Sequence, residues 1–150
     1  MNKEQLKELI EKVLIGIGLY SQDAFNLVCG TIAQETHFGK YIKQVKGPAL
    51  GICQIEPNTF KDIVENYLSY KGHLRKLIQE TCNINEFKAE SLVYNLAFSI
   101  AICRIFYLRI SEPLPYTLEG YAKYYKKYYN TPLGKATEQE FINNYNKYVL

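Results

Sequence analysis

The stretch from Lys88 to Ile110 limits the architecture more than any other part of this chain. Its apolar residues recur at helical spacing, with Leu92, Leu96, Ser99 and Cys103 along one side and Ala97, Ala101 and Ile105 along another. A helix that is apolar nearly all round holds only when other elements cover it, so the segment predicts a buried central helix. Pro113 and Pro115 end it, because proline lacks the amide and clashes with the preceding turn.

The covering elements are amphipathic. Leu6, Leu9, Ile10, Val13, Leu14 and Ile17 predict a first helix over Asn2 to Gly18. Ser21 caps a second from Gln22 to about Phe38, with Gly39 as its stop. Pro57 opens a third, Asn58 to about Leu68, and a fourth runs from Gly72 to Thr81. Two more cover Leu118 to Asn130 and Glu138 to Val149, the last with Thr137 and Glu140 as a capping-box pair. Lys46-Gly47-Pro48 breaks the chain ahead of Ala49 to Ile55, which reads equally as a short strand or an irregular loop. The fold class expected is all-α, mainly helical α+β at most, in one domain over residues 1–150.

With 47% hydrophobic residues and no long polar tract, the chain is not of the disordered class. The net charge of +3 is mild and its basic residues are dispersed, which argues against a nucleic-acid partner. Four cysteines without Cys-x-x-Cys spacing and only two histidines argue against a metal site. Cys29, Cys82 and Cys103 lie in or beside apolar helices and are expected as buried thiols. Met1-Asn2-Lys3-Glu4-Gln5 does not open a signal peptide, and the apolar runs Leu14–Leu19 and Leu96–Ile102 are too short to span a bilayer. Synthesis as a soluble cytoplasmic product is expected, so action on a cell wall requires delivery.

Chemistry concentrates between Gly30 and Thr59. Glu35 stands near the end of an otherwise apolar helix, where desolvation disfavours the carboxylate and raises its pKa. A carboxyl that keeps its proton near neutral pH suits general acid catalysis. Gly51 permits a close approach or a positive φ, and the Gln54 amide both donates and accepts. A loop of this kind beside a helix-end carboxyl makes a cleft floor.

Glu35-Thr36-His37-Phe38-Gly39 followed by Ala49-Leu50-Gly51-Ile52-Cys53-Gln54-Ile55-Glu56-Pro57-Asn58-Thr59 resembles the pattern of goose-type lysozymes and soluble lytic transglycosylases. Tyr129-Asn130 resembles the family's later Tyr-Asn motif, and the short length resembles bacteriophage members. The resemblance implies a lysozyme-like fold with an active-site cleft, in which Glu35 is the single catalytic acid/base. It implies that Gly51 and Gln54 belong to the substrate loop, and that Tyr129 lies close to the catalytic carboxyl with Asn130 beside it. The implied partner is the peptidoglycan glycan strand, with other virion proteins as further partners if a phage particle carries the chain, and no cofactor is required. The chain departs from the pattern at Thr36, Val45, Pro48, Cys53 and Thr131-Pro132.

Glycosidases usually place two carboxyl groups about the bond. Glu56, beside Pro57, reads as favouring a helix start electrostatically and Asp62 as solvated, so a transglycosylase route with one carboxyl is expected. Tyr121, Tyr125 and Tyr129 form one stripe and Tyr124 and Tyr128 another. Most are expected to pack on the central helix, with Tyr125 and Tyr129 as substrate-side members. Two other readings stay open: a non-enzymatic virion structural protein on the same fold, and a helix-turn-helix DNA binder built on Ala33 to Ile42.

Overall fold

A computed structural model describes residues 1–44, 46–131 and 133–150, so Val45 and Pro132 lie outside it. The elements are α1 (Lys3–Gly16), α2 (Gln22–Thr36), α3 (Pro57–Asn66), a 3₁₀ turn (Leu68–Tyr70), α4 (Gly72–Cys82), α5 (Ser91–Tyr94), α6 (Leu96–Leu108), α7 (Leu118–Tyr124), a π-helical turn (Tyr125–Asn130) and α8 (Glu138–Tyr148). The protein is all-α: among the described residues the only β pairing is two isolated bridges, Lys43 to Leu50 and Leu50 to Ile55. The segment from Ala49 to Ile55 is thus an irregular loop, pinched by those bridges, rather than a strand.

Helix α6 is the buried centre. Every residue from Phe98 to Ile105 is buried, and α1, α2, α3, α4 and α5 all pack on it. The helix is shorter than the apolar pattern predicts. Asn95 takes an extended backbone (φ −119°, ψ 100°) and divides the expected single helix into α5 and α6. Its side chain accepts from Phe98 N at 3.0 Å, as an N-cap does, while Nδ2 donates to the Cys82 carbonyl at 2.8 Å. Asparagine competes with the helix for backbone partners, and here a tertiary acceptor at the end of α4 decides the competition.

Ser21 and Thr137 cap as expected, accepting from the Ala24 and Glu140 amides, whereas Asn2, expected inside the first helix, caps α1 by accepting from the Gln5 amide. The second helix, however, stops at Thr36, and His37, Phe38 and Gly39 follow with φ of 51°, 62° and 86°. Two non-glycine residues in the left-handed region cost roughly 1–2 kcal/mol each. This reversal, not Gly39 alone, turns the chain away immediately after Glu35. None of the described residues between His37 and Glu56 is helical, so the DNA-binding reading lacks its recognition helix.

All four cysteines are free and buried, Cys53 joining the three expected. Burial pushes the Cys82 thiol up to about 12 and raises those of Cys29 and Cys103 as well, which keeps them as inert packing groups. Among the described residues no helix is long and apolar enough to cross a membrane.

Candidate functional site

The reversal after α2 brings the loop before α3 back across the end of that helix. Thr36 holds the two together: its hydroxyl donates to the Ile52 carbonyl at 2.7 Å and accepts from Gly39 N at 3.1 Å. Thr36 is fully buried, so the hydroxyl works as a structural staple one residue beyond Glu35. Gly51 then passes against α5 and α6 with φ 78°. A Cβ there would collide with the Leu92 carbonyl oxygen and lie 2.7 Å from Ser99 Oγ, so only glycine lets the loop lie this close.

The space left between loop, helix end and π-helical turn is an open cavity of about 450 Å³. That falls within the roughly 300–1,000 Å³ of small-molecule clefts. Glu35 lines it from the end of α2, Gln54 and Glu56 from the loop, Phe106 from α6, and Tyr129 and Asn130 from the π-helical turn. Gln44, Ala49, Ile55, Thr59 and Thr131 complete the rim. Gln54 is itself left-handed (φ 52°), and its Nε2 donates to Gly51 O at 2.9 Å. The amide is thereby oriented, and its oxygen has no protein partner among the described residues.

Glu35 is half-buried, and Tyr125 donates its phenol proton to Oε1 at 2.9 Å. Burial raises the Glu35 pKa to about 7, against the Tyr125 hydrogen bond, which stabilises the carboxylate and lowers it. The larger effect is desolvation, so a proton is retained on this carboxyl far above the usual range. Burial, then the Glu35 charge, push the Tyr125 phenol upward, so it stays a neutral donor.

Of the residues singled out in the sequence, Glu35, Gln54, Tyr129 and Asn130 meet on the cavity wall. Gly51 and Tyr125 do not. Both are buried behind the wall, where Gly51 sets the loop path and Tyr125, 1% exposed, orients the carboxyl. The expectation that they touch substrate directly is therefore corrected to a supporting position. Tyr129 reaches the loop rather than Glu35, donating to Cys53 O at 2.5 Å. Asn130 Oδ1 accepts from Lys126 Nζ at 2.8 Å. Both tyrosines belong to the π-helical turn and stack on each other at 5.7 Å, the first supporting the carboxyl and the second lining the cavity; such turns recur at functional sites.

Two other assignments change. Glu56 precedes α3 without capping it through its side chain, and it lines the same cavity as Glu35. Asp62 is not simply solvated but pairs with Arg109 at 2.7 Å, and hydrogen bonds from Asn66 and then Arg109 hold its carboxyl below the usual range. Phe106 escaped notice because a helix apolar on every face gives no sign of which residue meets a cavity. The Phe106 ring meets Tyr129 edge-on at 4.7 Å, Tyr129 stacks on Tyr107 at 5.4 Å between centroids, and Thr31 satisfies the buried Tyr107 hydroxyl at 2.7 Å.

Comparison with known protein families, curated proteins and solved structures finds no match to this chain. What the site does must be argued from its chemistry.

Proposed function

We propose that this protein is a peptidoglycan-cleaving muramidase on a lysozyme-like fold, a lytic transglycosylase acting on the MurNAc–GlcNAc β-1,4 bond. The observation that carries this reading is Glu35, a carboxyl raised to about 7 on the wall of an open cavity that an oriented glutamine also lines. Such a group is protonated often enough near neutral pH to act as a general acid, and its conjugate base is strong enough to take the proton back.

In the proposed reaction Glu35 gives its proton to the glycosidic oxygen as the bond from C1 of the muramyl sugar breaks. The substrate's N-acetyl oxygen assists at C1. Glu35, now a carboxylate, removes the C6 hydroxyl proton as O6 closes on C1 and displaces the acetamido oxygen, leaving a 1,6-anhydro sugar. Gln54 offers an amide to the acetamido group. Tyr125 holds the Glu35 carboxyl in one orientation through both halves.

Hydrolysis is the second reading, and Glu56 favours it. A second carboxylate on the cavity wall supplies a base for a water nucleophile, as two-carboxyl glycosidases require. Digestion of purified peptidoglycan, with mass spectrometry of the soluble fragments, distinguishes the routes. Anhydro-muropeptides are expected; reducing ends instead would assign hydrolysis, with Glu56→Gln then abolishing their release. Intact peptidoglycan after incubation with folded protein rejects the muramidase proposal and favours a structural role.

A further inference from the structure

The segment that walls the cavity at Gln44 carries a second surface on its other side. His37, just beyond the end of α2, stacks on Tyr148 of α8 with ring centroids 4.9 Å apart and 12° between planes. Tyr41 lies 5.8 Å from the same ring, tilted by 58°. Each tyrosine carries a lysine, Lys40 over Tyr41 at 6.0 Å and Lys147 over Tyr148 at 5.2 Å. The result is a cluster of two lysines, two tyrosines and one imidazole, assembled from the segment after α2 and the end of α8. Next to it Ile42 is 51% exposed and Met1, which touches the Gly39 position, is 63% exposed. Lys43 follows in the exposed loop.

Three features of this surface point the same way. Lys40, Lys43 and Lys147 form no ion pair, since the salt bridges among the described residues lie elsewhere. Their charge therefore seeks anions from outside the protein. The faces of His37 and Tyr148 are taken by each other and by Lys147, so this is not a platform for stacking nucleic-acid bases. The apolar Ile42 and Met1 have no role against a fully hydrated polyanion. Lysines flanking exposed tyrosine and aliphatic side chains are instead the composition of a bilayer interface, where amines meet headgroup phosphates and apolar groups enter below them.

We propose that this surface docks the protein on a bilayer rich in anionic lipid, and that it does so independently of the chemistry at Glu35. The loop joins the two functions mechanically: Gly51 N donates to the Ile42 carbonyl at 2.7 Å, while Gln44, two residues on, lines the cavity.

Cosedimentation with vesicles tests the proposal. Vesicles of equal parts phosphatidylglycerol and phosphatidylcholine should bind the protein at least tenfold more tightly than pure phosphatidylcholine, with affinity falling steeply between 50 and about 300 mM salt, as screening of surface charge requires. The double substitution Lys40→Glu, Lys147→Glu should lower binding at least tenfold, and Ile42→Ser severalfold, both with unchanged thermal unfolding. Equal binding to neutral vesicles overturns the proposal, as does a charge-reversed protein that still sediments. So does an Ile42→Ser protein that binds like wild type while soluble polyphosphate displaces both, because the surface would then be a polyanion site. None of these readouts depends on glycan cleavage.

Discussion

Replacing Glu35 by Gln should abolish release of muropeptides while making the protein more stable above neutral pH. Loss of a general acid lowers rates by roughly 10²–10⁴, and here the same group would serve twice, so the upper part of that range is expected. The stability effect follows from the same burial. Burial raises the folded-state pKa of Glu35 to about 7, above the ordinary glutamate value of 4.5. A group raised on folding supports the folded state fully below its unfolded pKa, and that support is lost as pH rises through the folded value. Between pH 4.5 and 7 the wild type should therefore lose on the order of 3 kcal/mol relative to a neutral side chain. Glutamine keeps an oxygen to accept from Tyr125 and carries no charge to desolvate. Unfolding curves of the two proteins should nearly coincide at pH 4 and separate at pH 8, with the variant the more stable. A variant that is inactive and also less stable at pH 8 would mean that it had been damaged rather than relieved of a buried charge.

Substituting Gly51 by Ala should be the most damaging single change in the loop. Alanine at φ 78° pays the left-handed penalty, and its Cβ meets the Leu92 carbonyl and Ser99 Oγ. The carbonyl is backbone in α5 and cannot rotate away. Left-handed strain of roughly 1–2 kcal/mol and overpacking of roughly 1–3 kcal/mol together predict a loss of about 3 kcal/mol. For a domain of this size that lowers Tm by roughly 10 °C. Because Gln54 leans on the Gly51 carbonyl, the surviving folded protein should also bind glycan more weakly. Thermal denaturation and fragment release measure the two effects separately. An alanine variant with wild-type Tm would show that the loop does not lie against α5 as described.

Some of this was legible in the residues and some was not, for physical reasons. Helix starts carry local signals, and Ser21 and Thr137 cap where their side chains predict. The buried α6 was legible because an all-round apolar helix has no alternative to burial. Glu35 and Gln54 were legible as chemistry because each stands out against its surroundings. Asn95 was not, because its decisive partner is the Cys82 carbonyl, thirteen residues earlier in the chain and visible only after folding. The exchange between Tyr125 and Tyr129 was hidden for a similar reason. The i, i+4 pairing of Tyr125 with Tyr129 persists, their rings stacking at 5.7 Å, but which of the two meets Glu35 is set by how the turn packs on the end of α2. Glu56 reads as an electrostatic aid to a helix start, and only the returning loop reveals that it shares a cavity with Glu35.

The central claim is that Glu35 keeps its proton where an ordinary glutamate has lost it. Labelling glutamate side-chain carboxyls with ¹³C and following the Glu35 resonance, assigned by its absence in Glu35→Gln, through a pH titration measures this directly. The midpoint should fall at about 7 in the wild type and higher still in Tyr125→Phe, where the hydrogen bond favouring the carboxylate is gone. A wild-type midpoint near 4.5, unmoved by loss of the Tyr125 hydroxyl, would contradict the account.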